Sequence, residues 1–493
     1  MVIAGLRNRK FVNMPMLLRV IGLLILIESV FMVIPVVASV VFSDGCVYEF
    51  ILSALITGFT GFVLIRLKPA SRDMGKREAI LLTVLTWVIL SIFGMLPFLL
   101  SGSHRSVTDA FFESMNGFTT TGASALASIN KVPQSVLLWR SIQQWIGGMG
   151  IILFTLAVAP MLNNQGGMFL FNAEVTGITH DKLRPRVSST AKGLWMVYTA
   201  LTVLLIVLLS FSNMNVFEAI CQGLSTMSTG GFSTNDMNIE SWNSIYVKTV
   251  VMIFMILGGI NFSLLFKAFT GHPVRAMRSS ALKGYLAAIL AAYVLLAANV
   301  LIMGKFSSLE DVTIDPLFQA ASIFSSTGIA EPDFHDWGAV SVIVLIVMMF
   351  VGGCAGSTSG GAKIDRIIIL LKFLKNEFYK MMYPNTVTSV SINGKGISYI
   401  TVQKVLAFLC LYVIVIFAGG TLLVFTGLPI KESFFYCLSA ISNTGLGTDI
   451  VGVGSGFTAI PDISKWILSF IMLVGRLEIY TVLLIFTPVF WRK

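Results

Sequence analysis

The chain has 493 residues, of which 56% are hydrophobic and 12% charged, and its mean hydropathy is +0.86. Soluble domains are roughly 45–50% apolar, so this composition indicates an integral membrane protein and leaves no room for a soluble domain of useful size. The formal net charge of +10 does not indicate a nucleic-acid partner, because the basic residues sort by predicted membrane side.

Ten hydrophobic stretches reach the length of about 20 residues that a helix needs to cross a hydrocarbon core. The first two, residues 16–42 and 50–67, form an N-terminal pair, and the first is too long for the hydrophobic region of a signal peptide, so we expect it to be retained. The other eight form four pairs. Their first members cover approximately 79–100, 194–211, 284–303 and 402–426, and their second members approximately 136–162, 246–269, 339–371 and 464–490.

A shorter stretch separates the two members of each pair. These stretches are residues 109–121, 217–229, 315–327 and 432–444, and each is followed at once by glycine. Thirteen residues of helix extend only ~20 Å, so each stretch is expected to dip into the membrane and return. The sequence therefore predicts an all-α polytopic membrane protein with ten transmembrane helices and four re-entrant loops (P-loops). Its parts are an N-terminal two-helix unit at 1–78 and four repeats at 79–190, 191–283, 284–398 and 399–493.

The basic residues orient the predicted spans. Arg7, Arg9 and Lys10 precede the first span, and a second basic group follows the second span at Arg66, Lys68, Arg72, Lys76 and Arg77. Because Lys and Arg concentrate on the cytoplasmic side, the N-terminus is predicted inside, and ten spans with four dips place the C-terminus there too. Only seven of the 34 basic residues then lie outside: Arg105, Lys131, Arg140, Lys248, Lys305, Lys431 and Lys465.

The four dips carry one repeated motif. It reads FTTTGA at 118–123, TMSTGG at 226–231, FSSTGI at 324–329 and ISNTGL at 441–446, and its aligned glycines are Gly122, Gly230, Gly328 and Gly445. Such regular repetition indicates an architecture assembled from copies. Glycine permits backbone angles that turn carbonyl oxygens toward an axis, and a ring of carbonyls can replace the water shell of an ion. The motif contains no Asp or Glu, and the negative end of a preceding half-helix favours a cation.

The predicted outer face is also acidic, with Asp109, Glu113, Glu218 and Asp315 among its residues. A focused negative potential raises the local concentration of cations at a pore mouth. Ordinary solvated loop charge explains any one of these residues equally well. Only the asymmetry between the two faces therefore carries information.

A second small-residue patch follows each motif glycine by roughly 24 to 30 residues, reading WIGGMG (145–150), LGGINF (257–262), GGCAGSTSGG (352–361) and VGRLE (474–478). Close helix packing is an equally good explanation of the first two patches. The third has five Gly and three Ser or Thr in ten residues, which predicts a break in the helix, although a packed Gly-rich helix is an alternative. In the fourth, Arg476 is costly inside an apolar span and should face water or a partner. Glu478 points elsewhere on a helix.

The most specific stretches are NGFTTTGAS (116–124), QQWIGGMGIIL (143–153), STGGFST (228–234), GGCAGSTSGG (352–361), SNTGLG (442–447) and GRLEIYTVLLIFTPVFW (475–491). In these motifs the chain resembles the membrane subunit of the Trk-type bacterial potassium uptake systems, within the superfamily that also holds the Ktr and plant high-affinity transporters. The resemblance covers residues 16–491. It implies a bacterial inner-membrane protein with two extra N-terminal helices and four channel-like units around a pseudo-fourfold axis. It also implies a homodimer and a cytoplasmic nucleotide-binding regulatory subunit (TrkA-like) that gates it.

The resemblance also implies site residues. The selectivity filter that binds K⁺ is expected at Thr120, Thr121, Gly122, Ser228, Thr229, Gly230, Ser326, Thr327, Gly328, Asn443, Thr444 and Gly445. An intramembrane gate is expected at Gly352, Gly353, Cys354, Ala355, Gly356, Ser357, Thr358, Ser359, Gly360 and Gly361, with Arg476 on the pore wall near it. Ser359 stands where the family pattern has Gly, which predicts a slightly stiffer loop. No covalently bound cofactor is expected, and a nucleotide (ATP/ADP or NAD) belongs to the regulatory partner.

Other functions remain as alternatives. A secondary-active cation symporter, moving K⁺ with H⁺ or Na⁺, would also have repeats and broken helices, but such repeats are commonly inverted. An intramembrane enzyme is disfavoured, because the four His lie in predicted loops and no HExxH motif occurs. A membrane-anchored partner protein without transport activity is a further alternative. The five cysteines lie scattered with no paired spacing, so we expect neither a disulfide framework nor a zinc site; they are Cys46, Cys221, Cys354, Cys410 and Cys437.

Overall fold

The computed structural model describes residues 12–69, 74–104, 106–150, 187–304, 308–330, 337–447, 457 and 459–492. The predicted N-terminal charges Arg7, Arg9 and Lys10, and residues 151–186 at the end of the predicted first repeat, lie outside the described residues. The described part is mostly helical, as the sequence predicts. It also contains a small hairpin in which β1 (Ser391–Ile392) pairs antiparallel with β2 (Lys395–Gly396).

Two long helices open the fold, α1 (Met14–Phe42) and α2 (Val47–Ile65). They pack along each other through glycines, since a Cβ atom added to Gly61 would lie 2.8 Å from the carbonyl oxygen of Gly22. Asp44 in the link between them accepts a hydrogen bond of 2.8 Å from the backbone N–H of Ser135, which ties the pair to the first repeat. Partial burial acts to raise the pKa of the Asp44 carboxyl, but its hydrogen bonds outweigh this and hold the pKa below its usual value.

Four units follow, each with a long helix, a short helix and a second apolar helix. Unit 1 contains α3 (Lys76–Gly94), α4 (Leu96–Leu100), α5 (Val107–Phe118) and α6 (Gln134–Gly148). Unit 2 contains α7 (Val187–Ser210), α8 (Val216–Met227), α9 (Ile245–Gly258) and α10 (Phe262–Phe269). The connector α11 (Pro273–Met277) leads to unit 3, with α12 (Ser280–Met303), α13 (Leu309–Phe324), α14 (Gly338–Val351) and α15 (Ile364–Met382). Unit 4 contains α16 (Tyr399–Phe425), α17 (Ile430–Ile441), α18 (Asp462–Arg476), α19 (Glu478–Ile485) and α20 (Pro488–Trp491).

The short helices α5, α8, α13 and α17 lie where the sequence predicts the four short stretches. Their starts are set by local chemistry. Ser106 caps α5 by accepting a hydrogen bond from the N–H of Asp109, and Ser308 caps α13 in the same way through Asp311. Glu218 in the first turn of α8 accepts from the N–H of Asn215, so three of these helices satisfy backbone donors at their N-terminal ends.

The second helices of units 2, 3 and 4 are broken, and two of the predicted spans each contain two helices. The predicted stretch 246–269 is two helices, α9 and α10, bent by 105°, and the stretch 464–490 contains α18 and α19, bent by 119°. In unit 3 the break occupies the whole interval between α14 and α15. The breaks fall at the small-residue patches because glycine there lets the helix end approach another backbone, as Gly475 approaches the carbonyl oxygen of Ile441.

The number of spanning helices differs from the expected total. Within the described ranges, six helices are long and apolar enough to cross a membrane, or eight if each bent pair counts as one span. α14 has only 14 residues. The predicted second member of the first pair, 136–162, continues past residue 150 and so lies partly outside the described residues. The total of ten spans stays a prediction.

The units contact one another in cyclic order. The second helix of each unit packs against the short helix of the next: α6 against α8, α9 against α13, α14 against α17, and α18 against α5. The last of these contacts returns from unit 4 to unit 1. The four short helices are therefore held in a closed ring.

Ion pairs reinforce this ring. Lys248 on α9 lies 2.9 Å from Asp315 on α13, and Lys465 on α18 lies 2.5 Å from Asp109 on α5. Glu113 is fully buried and lies 2.7 Å from Arg140. Each of these three acidic residues is paired with a basic residue of another helix, so none of them is a free solvated loop charge, and the acidic outer face stays a prediction. The sequence does not reveal these ion pairs, because their two residues lie far apart along the chain.

Candidate functional site

Each short helix ends in a turn segment, and the four turn segments, residues 119–123, 228–232, 325–329 and 442–446, share one backbone geometry. The second residue of each segment has a left-handed φ of 50–56°, at Thr120, Thr229, Ser326 and Asn443. Two residues later a glycine has a φ between 70° and 91°, at Gly122, Gly231, Gly328 and Gly445. A left-handed φ favours glycine at the second of these positions. The chain therefore reverses in the same way four times.

This geometry corrects the motif alignment in unit 2 by one residue. Gly231, not Gly230, has the backbone of Gly122, Gly328 and Gly445. Gly230 takes the place that Thr121, Thr327 and Thr444 hold in the other units. The sequence alignment on Thr-Gly missed Gly231, although the Gly-Gly pair was a visible signal that either residue could fill the slot.

The same four glycines form the contacts between turn segments. A Cβ atom added to Gly122 would lie 2.5 Å from the carbonyl oxygen of Gly230, in the next unit. The other three meet carbonyl oxygens in the same order and more closely: Gly231 meets Thr327, Gly328 meets Thr444, and Gly445 meets Thr121. Only glycine allows this approach. The turn segments of four separate units thus meet edge to edge in a closed ring.

Exposure identifies which atoms of this ring reach open space. Gly122, Gly231, Gly328 and Gly445 are partly exposed, whereas the three residues before each of them are buried. The four glycines occupy equivalent places in the ring, and we call the accessible space beside them the opening. The four short helices end at this opening, so the negative ends of their dipoles converge on it.

Hydroxyl pairs brace three of the turn segments. The side-chain oxygens lie 2.8 Å apart in Thr119 and Thr121, 2.7 Å apart in Ser325 and Thr327, and 2.9 Å apart in Ser442 and Thr444. Each pair joins the cap of the short helix to the residue before the glycine. These bonds hold the backbone carbonyls of the segment in place without using a charged group.

Unit 2 has glycine at the second hydroxyl position and uses Gln144 of α6 instead. The Gln144 Nε2 donates a 2.7 Å hydrogen bond to the carbonyl oxygen of Gly230. Its Oε1 accepts from the Ser225 hydroxyl at 2.8 Å and from the Phe232 N–H at 3.2 Å. Sequence reasoning assigned no role to Gln144, although it lies inside the distinctive QQWIGGMG stretch.

Asn443 joins the turn segments of units 4 and 1. Its Nδ2 donates to the Thr121 hydroxyl and to the Met472 carbonyl oxygen, each at 3.0 Å. The structure therefore brings the predicted filter residues of all four turn segments together around the opening.

The atoms available at this opening are neutral oxygens. In the described ranges no group of three or more His, Cys, Asp or Glu residues could hold a metal ion. The turn segments offer backbone carbonyls and Ser or Thr hydroxyls, which suit a weakly hydrated monovalent cation better than a divalent metal that prefers carboxylates.

Residues 352–361 form an irregular segment beside the ring, as predicted, so the helical alternative is wrong. The Gly360 N–H donates to the Ser326 hydroxyl at 2.6 Å. On another side, the Cys354 N–H donates to the Gly259 carbonyl oxygen at 2.9 Å. The segment is mostly buried, which satisfies the rule that irregular backbone at membrane depth must be covered by protein or line water.

Arg476 connects this segment to unit 1. One guanidinium nitrogen donates to the Thr358 carbonyl oxygen at 2.7 Å, and another donates to the carbonyl oxygens of Gly147 at 2.7 Å and Gly148 at 3.0 Å. Glu478 instead pairs with Arg366 at 2.5 Å. The partly buried Arg476 therefore finds its partners among backbone oxygens of the segment and of the end of α6.

Comparisons with known proteins cover the whole of this architecture. A family model described as TrkH, Cation transport protein, matches residues 50–306 and 286–493. The chain is 34% identical over 481 residues to the Trk system potassium uptake protein TrkH of Escherichia coli strain K12, covering 96% of this chain and 99% of that protein. It is 34% identical over 485 residues to the protein of the same name from Halomonas elongata, covering 98% and 100% of the two chains.

A solved structure is similar over the same extent. The crystal structure of the potassium transporter TrkH from Vibrio parahaemolyticus matches with a TM-score of 0.88 at 30% sequence identity. The match covers 97% of this chain and 100% of that one. The likeness therefore includes both the N-terminal helix pair and all four units.

Proposed function

Since the chain belongs to the TrkH family of cation transport proteins, we propose that it takes up potassium across the bacterial inner membrane through the opening lined by the four turn segments. The observation that carries this proposal is the closed ring of glycine-to-carbonyl contacts between Gly122, Gly231, Gly328, Gly445 and their neighbours. A ring of carbonyl oxygens held by packing can replace the water shell of K⁺. The names of the similar proteins point to the same ion.

The proposed selectivity filter comprises the residues expected from the sequence together with Gly231. They are Thr120, Thr121, Gly122, Ser228, Thr229, Gly230, Gly231, Ser326, Thr327, Gly328, Asn443, Thr444 and Gly445. Hydroxyl pairs and Gln144 support the carbonyls from behind. With one left-handed glycine per segment, the filter is short.

The proposed gate is the irregular segment 352–361. Its contact with Ser326 next to the ring supports a position where it obstructs the path of an ion. Arg476 holds the segment through Thr358. We propose that the gate opens when the contact between Arg476 and Thr358 is released.

The wider assembly follows from the family. We propose ten transmembrane helices with four re-entrant loops, repeats bounded as the sequence predicts, and both termini in the cytoplasm. We further propose a homodimer and a TrkA-like cytoplasmic regulatory subunit that binds the nucleotide. Co-purification from detergent with and without that subunit tests these partners.

The proposed filter predicts a severe effect of Gly328→Ala. The added Cβ would collide with the carbonyl oxygen of Thr444, so the neighbouring segment must move. Displacing packed backbone costs about 1–3 kcal/mol, and rubidium uptake into proteoliposomes should fall about tenfold or more. Uptake and the amount of inserted protein are measured together.

Gly427→Ala is the matched control. Gly427 also has a left-handed φ, of 97°, but a Cβ atom there meets nothing within 4 Å. The two variants share the backbone strain and differ only in the collision. Equal loss of uptake in both would contradict the filter, and full uptake in Gly328→Ala would exclude it.

A further inference from the structure

A carboxyl group lies at the midpoint of α1, a helix with a mean hydropathy of 2.7 over its most apolar window. Glu28 is only 3% exposed. Neither of its carboxyl oxygens has a hydrogen-bond partner in the part of the chain that the structure describes. Burying an unpaired carboxylate costs several kcal/mol, so the group must be neutral or must have something bound to it.

Glu28 lines a cavity of about 40 Å³ between α1, α3 and α6, together with Thr86, Trp87, Gly147 and Gly150. The hydroxyl of Thr86 also has no hydrogen-bond partner among the described residues. Three oxygen atoms without a partner therefore belong to residues that line the same space. One water needs roughly 10–15 Å³ of such volume, so the cavity can hold two or three water molecules bonded to these oxygens.

We propose that Glu28 and Thr86 form a hydrated proton-binding site, and that release of its proton weakens the contact between Arg476 and the segment 352–361. Water in the cavity gives the proton a route to and from the carboxyl. The Thr86 hydroxyl donates a hydrogen bond to the carboxylate once the proton has left. This site regulates the proposed potassium pathway and in that respect rests on the proposed function.

Two residues that line the cavity also contact Arg476. The carbonyl oxygen of Gly147, a lining residue, accepts a hydrogen bond from the Arg476 guanidinium. The guanidinium carbon lies 5.9 Å from the centre of the Trp87 ring, which lines the cavity too. A negative charge on Glu28 would attract this guanidinium through a medium of low dielectric constant and so compete with its bond to Thr358.

In the described part of the chain, no other charged side chain lines the cavity beside Glu28. The remaining ionisable residues on the helices around the cavity do not line it; they include Arg19, Glu49, Lys76, Arg77, Glu78 and the bonded pair of Glu113 and Arg140. Within the described residues, Arg476 is thus the cation placed to respond. Protonation of Glu28 leaves Arg476 bonded to Thr358, and deprotonation pulls it away.

Infrared difference spectra between alkaline and acidic pH test the site without any transport. The wild-type protein in lipid should show the band of a carboxyl group gaining a proton, and Glu28→Gln should lack that band. Identical difference spectra in the two proteins would overturn the proposal, whatever the fate of the proposed function.

Rubidium flux through proteoliposomes tests the coupling. Wild-type flux should rise several-fold as the pH increases through the titration of Glu28, and Glu28→Gln should stay at the low, protonated level throughout. Thr86→Val should move the midpoint to higher pH, because the carboxylate loses its donor, while Glu78→Gln, on the partly exposed first turn of α3, should behave as wild type. A rise with pH that is unchanged in Glu28→Gln would overturn the coupling.

Discussion

Gln144 in unit 2 replaces a support that the other units build from two hydroxyls. Thr119 with Thr121, Ser325 with Thr327 and Ser442 with Thr444 each brace a turn segment from within. In unit 2 the corresponding residue is Gly230, which has no side chain, and an amide from α6 bonds directly to its carbonyl oxygen. The ring is therefore fourfold in backbone geometry but not in side-chain chemistry.

Gln144→Leu should destabilise the protein and loosen the filter. The change leaves the Gly230 carbonyl, the Ser225 hydroxyl and the Phe232 N–H without their partner, and each such loss in a buried site costs about 1–3 kcal/mol. Thermal unfolding in detergent should shift downward, and the ratio of rubidium to sodium flux should fall. Gln134→Leu, at an exposed position on the same helix, is the control; equal behaviour of the two variants would rule out the proposed support.

At the scale of elements, the breaks in the second helices determine which parts of the chain Arg476 can contact. They allow Arg476, at the end of α18, to reach both the segment 352–361 and the end of α6. In a continuous helix, the backbone carbonyls would be bonded within the helix and would not be available to the Arg476 guanidinium. The breaks thus supply backbone oxygens to a partly buried guanidinium.

Arg476→Gln should raise potassium flux in the absence of a regulatory subunit. Hydrogen bonds to a charged group contribute about 1.5–3 kcal/mol each, so loss of the bond to Thr358 should increase the open population by roughly tenfold. Passive rubidium flux into liposomes measures this. Arg492→Gln, at an exposed position near the C-terminus, serves as the control, and a flux in Arg476→Gln no higher than in this control would argue against a gating role.

At the scale of the molecule, the ring must close between the last unit and the first. Packing of α18 against α5 makes that closure, and the pair of Lys465 and Asp109 lies within it. The side chain of Lys465 is only 4% exposed, and its ammonium group lies nearer to Asp109 than to Asp462, which is 3.8 Å away. The pair of Lys248 and Asp315 plays the same part between units 2 and 3.

Lys465→Met should destabilise the closed ring by about 1–3 kcal/mol, because it leaves Asp109 without its buried partner. The control is Lys380→Met, which removes the exposed pair with Glu377 inside α15 and should cost about 0.3–0.5 kcal/mol. Denaturant-induced unfolding in detergent compares the two. If Asp109→Lys combined with Lys465→Asp failed to restore part of the stability, the interaction between units would be disproved.

Local composition was sufficient to predict the class of protein, its family, the four short helices and the irregular segment. Hydrophobic runs, the repeated Thr-Gly motif and a glycine-rich stretch act through nearby residues, so their effect can be read along the chain. The bends at α9–α10 and α18–α19 were less visible, because their small-residue patches are compatible with close helix packing as well.

The remaining features depend on contacts between residues far apart in the chain. Gly231 rather than Gly230 fills the glycine slot because Thr327 of the next unit approaches it. Gln144 bonds a carbonyl 86 positions away, and Lys465 meets an aspartate 356 positions away. Arg140 and Glu28 are both buried, but Arg140 is paired with Glu113, whereas Glu28 has no hydrogen-bond partner among the residues that the structure describes. The sequence by itself determined which segments form long apolar helices, which form short helices and where a glycine-rich segment interrupts a helix, since these depend on local hydrophobicity and backbone freedom; only the tertiary structure decided which of them meet, since that depends on packing between the units.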